Sequence, residues 1–258
     1  MTSPSEPMLD SPDLTPVLAK RGMSDVDKKI YDSVFNAVMN QRLPPGTKLT
    51  EANFCELFNV SRTIVRKALQ RLAYNHIVVI KPNHGASVAS PTPQETREIF
   101  TARRGVEAAI VPLAIARANK AQIAVLRKLA KDEHAAFESG DRANWISLGG
   151  AFHIALAELA GNSVLQRFLN ELVSRCSLII ALYELPGNVA CSHNEHDRLI
   201  DVIASKDVGL AMKMMEQHLL QIEAKLNLSD EKERINLAEI LGLAWIANEK
   251  NDPKNMAG

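Results

Sequence analysis

The chain has 258 residues, 46% of them apolar and only 5% aromatic, and its 30 Lys and Arg are matched by 30 Asp and Glu. That length and apolar content bury a sizeable core and predict two domains. No apolar run reaches the length of a membrane span and the first residues lack a basic-then-apolar signal, so a soluble, cytoplasmic protein with no membrane partner is expected. Cys55, Cys176 and Cys191 are widely spaced and form no C-x-x-C pair. A disulfide scaffold and a zinc–thiolate site are thereby disfavoured, and the three read as small hydrophobes.

Residues 1–23 are rich in Ser, Pro and Asp, show little periodicity, and read as a disordered arm. Residues 24–90 then carry the pattern of a DNA-binding module. Leu43-Pro44-Pro45-Gly46-Thr47-Lys48-Leu49 is a turn, Thr50 caps a short helix running to Phe58, and Asn59 ends that helix as a C-cap. Beyond it Leu57, Val60, Ile64, Val65, Ala68, Leu69 and Leu72 recur at helical spacing, while Ser61, Arg62, Thr63, Arg66 and Lys67 crowd the first turn and one flank. Two short helices meeting at a tight corner form a helix-turn-helix. With Ser61 as N-cap, the exposed N–H groups of the first turn and the positive end of the dipole favour a phosphate. Arg62 and Arg66, four apart, share a face from which an arginine can fork onto guanine O6 and N7 or clamp phosphates. Ile77-Val78-Val79-Ile80 and Ala86-Ser87-Val88-Ala89 flank Lys81-Pro82-Asn83-His84-Gly85, a hairpin with a basic, Gly-tipped turn. Such a hairpin is a wing, and it puts His84 and Gly85 beside the DNA. From 24 to 90 there are 9 Lys and Arg against 5 Asp and Glu, so a basic module is joined to a mildly acidic remainder. The plainer alternative is a three-helix packing unit with a solvated charged face.

Pro44 to Glu51, Ser61 to Leu69 and Pro82-Asn83-His84-Gly85-Ala86 closely resemble the winged helix-turn-helix of the GntR family of bacterial transcription regulators, over about 28–89. The resemblance implies that Ser61, Arg62, Thr63 and Arg66 touch DNA and that Gly85 reaches the minor groove. The family often places a DNA-contacting arginine near the position of Ala52, so one part of the usual base readout is expected to be missing.

Pro91-Thr92-Pro93 reads as a stiff hinge, each proline fixing φ and biasing its predecessor to extended backbone. Beyond it the pattern is helical, over about 94–118, 121–139, 142–159, 163–183, 189–204, 208–226 and 233–248. Short links make neighbours antiparallel, so 94–227 is expected to be an antiparallel α-helical bundle and the whole fold mainly α. Residues 228–258 add a further helix and a tail. That helix is apolar over much of its circumference, and either its own bundle or a partner subunit must cover it. Arg103-Arg104-Gly105-Val106-Glu107, the run from Ala151 to Ala157, Ala160-Gly161-Asn162, the run from Glu195 to Ile200, and His218-Leu219 resemble the FCD domain of the FadR subfamily of GntR regulators. Six helices over that span are similar to its VanR-like version. The resemblance implies a ligand-sensing domain.

His153, His196 and His218 sit mid-helix on three segments with apolar neighbours at helical spacing, so their imidazoles can meet on a divalent metal such as zinc, nickel or manganese. A buried histidine with one hydrogen-bond partner is the plainer reading, and the FCD resemblance favours the metal. Many such domains have an aspartate four residues before the first histidine; here that position is Gly149. Its absence is expected to weaken the metal or to leave a position open for an effector's own anionic group. Gly149-Gly150 costs the helix roughly 1 kcal/mol per glycine, in exchange either for a larger pocket or for close helix packing. Arg103 faces the pocket in the resembling family and Arg175 is a second candidate anion clamp, with salt bridges to Glu107 and Glu171 as the alternatives. His193, close to His196, completes the candidate effector-binding set of Arg103, Arg175, His193, His153, His196 and His218.

The expected protein is a homodimeric repressor that binds a pseudo-palindromic double-stranded operator and responds to a small-molecule effector, an organic acid or a nitrogen heterocycle. Two rivals stand beside it. A metal-dependent enzyme using three histidines lacks an obvious general base, and an architectural DNA binder leaves the polar groups of the bundle without a task.

Overall fold

The computed structural model describes residues 25–185 and 194–228. The arm at 1–23, His193 and the helix expected at 233–248 lie outside the described residues. Helix α1 (Asp25–Met39) turns Ile30, Tyr31, Val34, Ala37 and Val38 inward at helical spacing. Strand β1 (Lys48–Leu49), α2 (Glu51–Phe58), α3 (Arg62–Tyr74), β2 (Val78–Lys81) and β3 (Gly85–Val88) follow. Phe54, Val65, Leu69, Leu72, Val78 and Val88 close this core. Each contributes about 1.5–3 kcal/mol by leaving water. The corner between α2 and α3 is made by Asn59, whose φ of 50° is the left-handed cap that asparagine tolerates.

The strands form one antiparallel sheet in the order β1-β3-β2, with Lys81 opposite Gly85 at the wing tip. Here the structure corrects one expectation. The end of the turn at 43–49 is a strand, Lys48 pairing with Ser87 and Leu49 with Ala86. Two residues are too short for a readable alternation.

The second domain is six helices among the described residues: α4 (Pro93–Arg117), α5 (Lys120–Glu138), α6 (Arg142–Ala160), α7 (Ser163–Tyr183), α8 (Glu195–Ser205) and α9 (Val208–Ala224). Residues read as a hinge begin α4, since Thr92 accepts a hydrogen bond from the Glu95 N–H and Pro93 takes the first helical position, where its missing donor costs nothing. Asn119 and Gln122 form a capping box on α5; Asp141, Asn162 and Asp207 cap α6, α7 and α9. Helix α6 is central, packed on α4, α5 and α7, and eleven of its residues are buried.

Helix α1 rests on α6 and α7, so the domains share a seam. Arg142, the first residue of α6, spans it: Nε donates to the Met39 carbonyl (3.1 Å), Nη1 to Glu184 (2.8 Å) and Nη2 to the Ile180 carbonyl (3.1 Å). Ser174 Oγ donates to the Asn75 carbonyl (2.8 Å) and Tyr183 Oη to that of Pro91 (2.9 Å). Among the described residues no helix is long and apolar enough to cross a membrane.

Candidate functional site

On α3, Val65, Ala68, Leu69 and Leu72 are buried while Ser61, Arg62, Thr63, Arg66 and Lys67 are exposed. Ser61 occupies the N-cap position with extended backbone, and its side chain makes no capping hydrogen bond. Arg66 Nε donates to Glu51 on α2 at 2.6 Å. His84 and Gly85 are exposed at the wing tip, Gly85 with a φ of 76° that favours glycine. Lys48, Arg66, Gln70, His84 and Gly85 border one cleft, which joins the recognition helix to the wing.

In the bundle, α6, α8 and α9 bring His153, His196 and His218 together. All three are buried, and their ligand nitrogens lie within 4.8 Å of one another. Phe152 stacks on the His196 ring at 4.1 Å and walls one side. Each Nδ1 meets a carboxylate at 2.6 Å: His153 with Glu107, His196 with Glu133, and His218 with Glu195. These contacts place the ring proton on Nδ1 and leave the Nε2 lone pairs facing inward. The Nε2 atoms of His153 and His218 are 3.3 Å apart, and that of His196 is buried with no hydrogen-bond partner among the described residues. Two lone pairs that close repel unless a cation or a proton lies between them. Tetrahedral ligands at about 2.0–2.1 Å from zinc stand about 3.3–3.4 Å apart, so the separation of the His153 and His218 nitrogens suits two ligands of one metal.

Burial pushes the His153 imidazole down to about 3, against the pull of Glu107. Burial also lowers His218. Burial on its own would raise the Glu107 carboxyl, but His153 and Arg103 on either side outweigh it and hold the group at about 2. With neutral imidazoles, the contacts among the described residues set the carboxylates of Glu107, Glu133 and Glu195 behind the histidines and the guanidinium of Arg103 behind Glu107. Negative charge beside neutral imidazoles is an arrangement that could hold a cation.

The glycine pair is explained by packing. A Cβ at Gly149 would stand 2.9 Å from Glu133 Oε1, and one at Gly150 would stand 3.0 Å from Val173 Cγ1 and 3.3 Å from Ser177 Oγ. The space beside Gly149 is thus filled by the carboxylate that steadies His196. Arg103 does not offer a free fork: its Nε donates to Glu107 at 2.8 Å, both groups being almost wholly buried. It reaches the cluster through Glu107. Arg175 is not brought to the histidines; it pairs with Glu171 at 2.9 Å and Glu95 at 3.7 Å. The three carboxylates were absent from the expected site. Glu107 carried a signal, four residues from Arg103, whereas Glu133 on α5 carried none.

Two family profiles match the chain: "Bacterial regulatory proteins, gntR family" at residues 27–88 and "FCD domain" at 98–221. Among similar proteins, the HTH-type transcriptional regulator YdhC of Bacillus subtilis is 24% identical, with 74% of this chain and 85% of that protein covered. The HTH-type transcriptional repressor GlaR of Escherichia coli is 28% identical, with 74% and 90% covered. The solved structure of E. coli McbR/YncC has a TM-score of 0.62 at 21% identity, covering 78% of this chain and 97% of that one, a likeness of fold. These families are transcription regulators and not enzymes, which removes the metal-dependent enzyme with a three-histidine site as a reading. A winged helix joined to a six-helix bundle with buried histidines is therefore a DNA-binding regulator: the chain belongs to the GntR family, with an N-terminal GntR helix-turn-helix and a C-terminal FCD domain.

Proposed function

We propose that the protein is a homodimeric repressor that leaves its operator when a small-molecule effector enters the histidine site. The observation that carries this reading is the cluster itself, three inward Nε2 atoms whose Nδ1 atoms are each held by a carboxylate. His153, His196 and His218 would hold a divalent metal, with zinc, nickel and manganese the candidates for an imidazole set. Bound there, it would offer an open coordination position to an organic acid or a nitrogen heterocycle. Arg103 and Glu107 fix the tautomer and tilt of His153, and Glu133 and Glu195 do the same for His196 and His218. Arg175 pairs with Glu171 of its own helix and with Glu95 of α4, and is left out of the histidine site.

At the output end, Ser61, Arg62, Thr63, Arg66 and Lys67 enter the major groove while His84 and Gly85 of the wing meet the adjacent minor groove. Two copies present two such helices to a pseudo-palindromic operator. The repressor sense is supported by the relative GlaR, named a repressor.

The test begins with protein purified without an affinity tag, which should contain about one equivalent of divalent metal by elemental analysis. A screen of organic acids and nitrogen heterocycles by thermal shift then supplies an effector. The His153→Ala/His196→Ala/His218→Ala variant should contain no metal and should stay on operator DNA when that effector is added. Native protein free of metal, together with an intact effector response in the variant, would overturn the reading.

A further inference from the structure

A second cavity, of about 70 Å³ and partly open to solvent, lies in the seam between the domains. Tyr31 and Phe35 of α1, Asn75 at the end of α3, Ile146 of α6, and Asn170 and Ser177 of α7 are among its walls, and no histidine of the cluster lines it. No charged side chain lines it either, and most of its lining is apolar. Its polar groups are unevenly satisfied. Asn75 is 2% exposed; its Nδ2 donates to Tyr31 Oη at 2.7 Å and its carbonyl accepts from Ser174 Oγ. Its side-chain oxygen, however, is buried with no partner among the described residues, and so is that of Asn170. Two buried acceptors without donors, on two residues that wall an apolar, uncharged cavity, are hydrogen-bonding capacity that a donor entering there can use.

We propose that this seam is a second small-molecule site, separate from the histidine cluster, for a neutral compound with a small apolar body and one or two N–H or O–H donors. Ions are excluded, since a charge would leave water for a cavity with no counter-charge. The apolar body packs against Tyr31, Phe35 and Ile146, and its donors meet Asn75 Oδ1 and Asn170 Oδ1. The cavity holds the volume of several waters, so a small ring enters with its remainder at the mouth. Because the walls come from both domains, occupancy favours the arrangement in which α1 stays seated on α6 and α7, by as much as the ligand prefers that arrangement.

The test uses the full chain with 13C-labelled Ile, Val and Met methyl groups, titrated with phenol and with fluorobenzene, which has a similar ring and no donor. Phenol should shift the methyl signals of Ile77, Ile146 and Ile154 saturably, and fluorobenzene should bind at least tenfold more weakly. Asn170→Leu should weaken phenol at least tenfold, and the His153→Ala/His196→Ala/His218→Ala variant should bind it as native protein does. Ile77, Ile146 and Ile154 signals unmoved by phenol would mean that water alone fills the cavity and would overturn the proposal. Equal binding of the two probes, native affinity in Asn170→Leu, or loss of phenol binding in the histidine variant would overturn it as well. The native titration needs no variant to fold, and none of these outcomes depends on whether the histidines hold a metal.

Discussion

The recognition helix exposes the residues assigned to DNA, and its ion pair between Arg66 and Glu51 is 61% and 32% exposed; in the bundle, Arg103 and Glu107 are 3% and 0% exposed. An exposed pair contributes about 0–1 kcal/mol, and cutting one partner from a buried pair costs about 3–5 kcal/mol. The DNA face can therefore be rewritten with little consequence for folding. The histidine site cannot, because the groups that shape it are also part of the core. Specificity for DNA and specificity for an effector are thus under different constraints within one chain.

That contrast can be broken or sharpened by four variants. The largest effect is expected from Glu107→Ala, which strands the Arg103 guanidinium and removes the partner of His153 Nδ1. It should lose about 3–5 kcal/mol in urea unfolding. Glu133→Gln keeps the shape beside Gly149 but removes the charge behind His196. Metal affinity, read by competition with a chromogenic chelator, should fall about 10–100-fold with a small change in stability. Arg62→Ala should weaken binding to DNA selected from a random pool by about 1–3 kcal/mol, with an unfolding midpoint equal to that of native protein. A loss of stability there would remove the distinction between the two regions.

The smallest effect concerns the seam. Burial pushes the Tyr31 phenol up to about 12, against the hydrogen bond from Asn75. The folded value lies above the unfolded one, so the protonated phenol's contribution is complete below pH 10 and fades as pH rises from 10 toward 12. Tyr31→Phe should flatten the loss of stability on going to pH 10.5 by roughly 1 kcal/mol relative to native protein.

Much of the DNA-binding module was legible because its determinants are local. Asn59 caps, Gly85 turns, and the alternation of buried and exposed residues on α3 each depend on a few neighbouring residues. Strand β1 escaped notice because its two residues are defined by Ser87 and Ala86, nearly forty positions away. The histidines were legible as types at helical positions, and Glu107 as a partner of Arg103. Glu133 was not, because it reaches His196 from a helix 63 residues earlier in the chain. The same distance explains Gly149, which looked like a missing ligand and is instead the clearance for that carboxylate. Arg175 illustrates the converse: charge and position suggested an anion clamp, and tertiary placement gave it Glu95 as well as Glu171.

Helix α6 has a mechanical consequence. Nineteen residues make it a rod about 28 Å long, with Arg142 at one end and His153 about 16 Å along it. A rod that slides along its axis carries both residues by the same amount, so an axial displacement at His153 is also one at Arg142, beside the Met39 carbonyl. Arg142 Nε stands 3.1 Å from that oxygen, and a hydrogen bond is lost by about 3.5 Å. A slide of less than half an ångström along that bond would thus take this one contact of the seam out of hydrogen-bond range, a threshold far smaller than the width of any ligand.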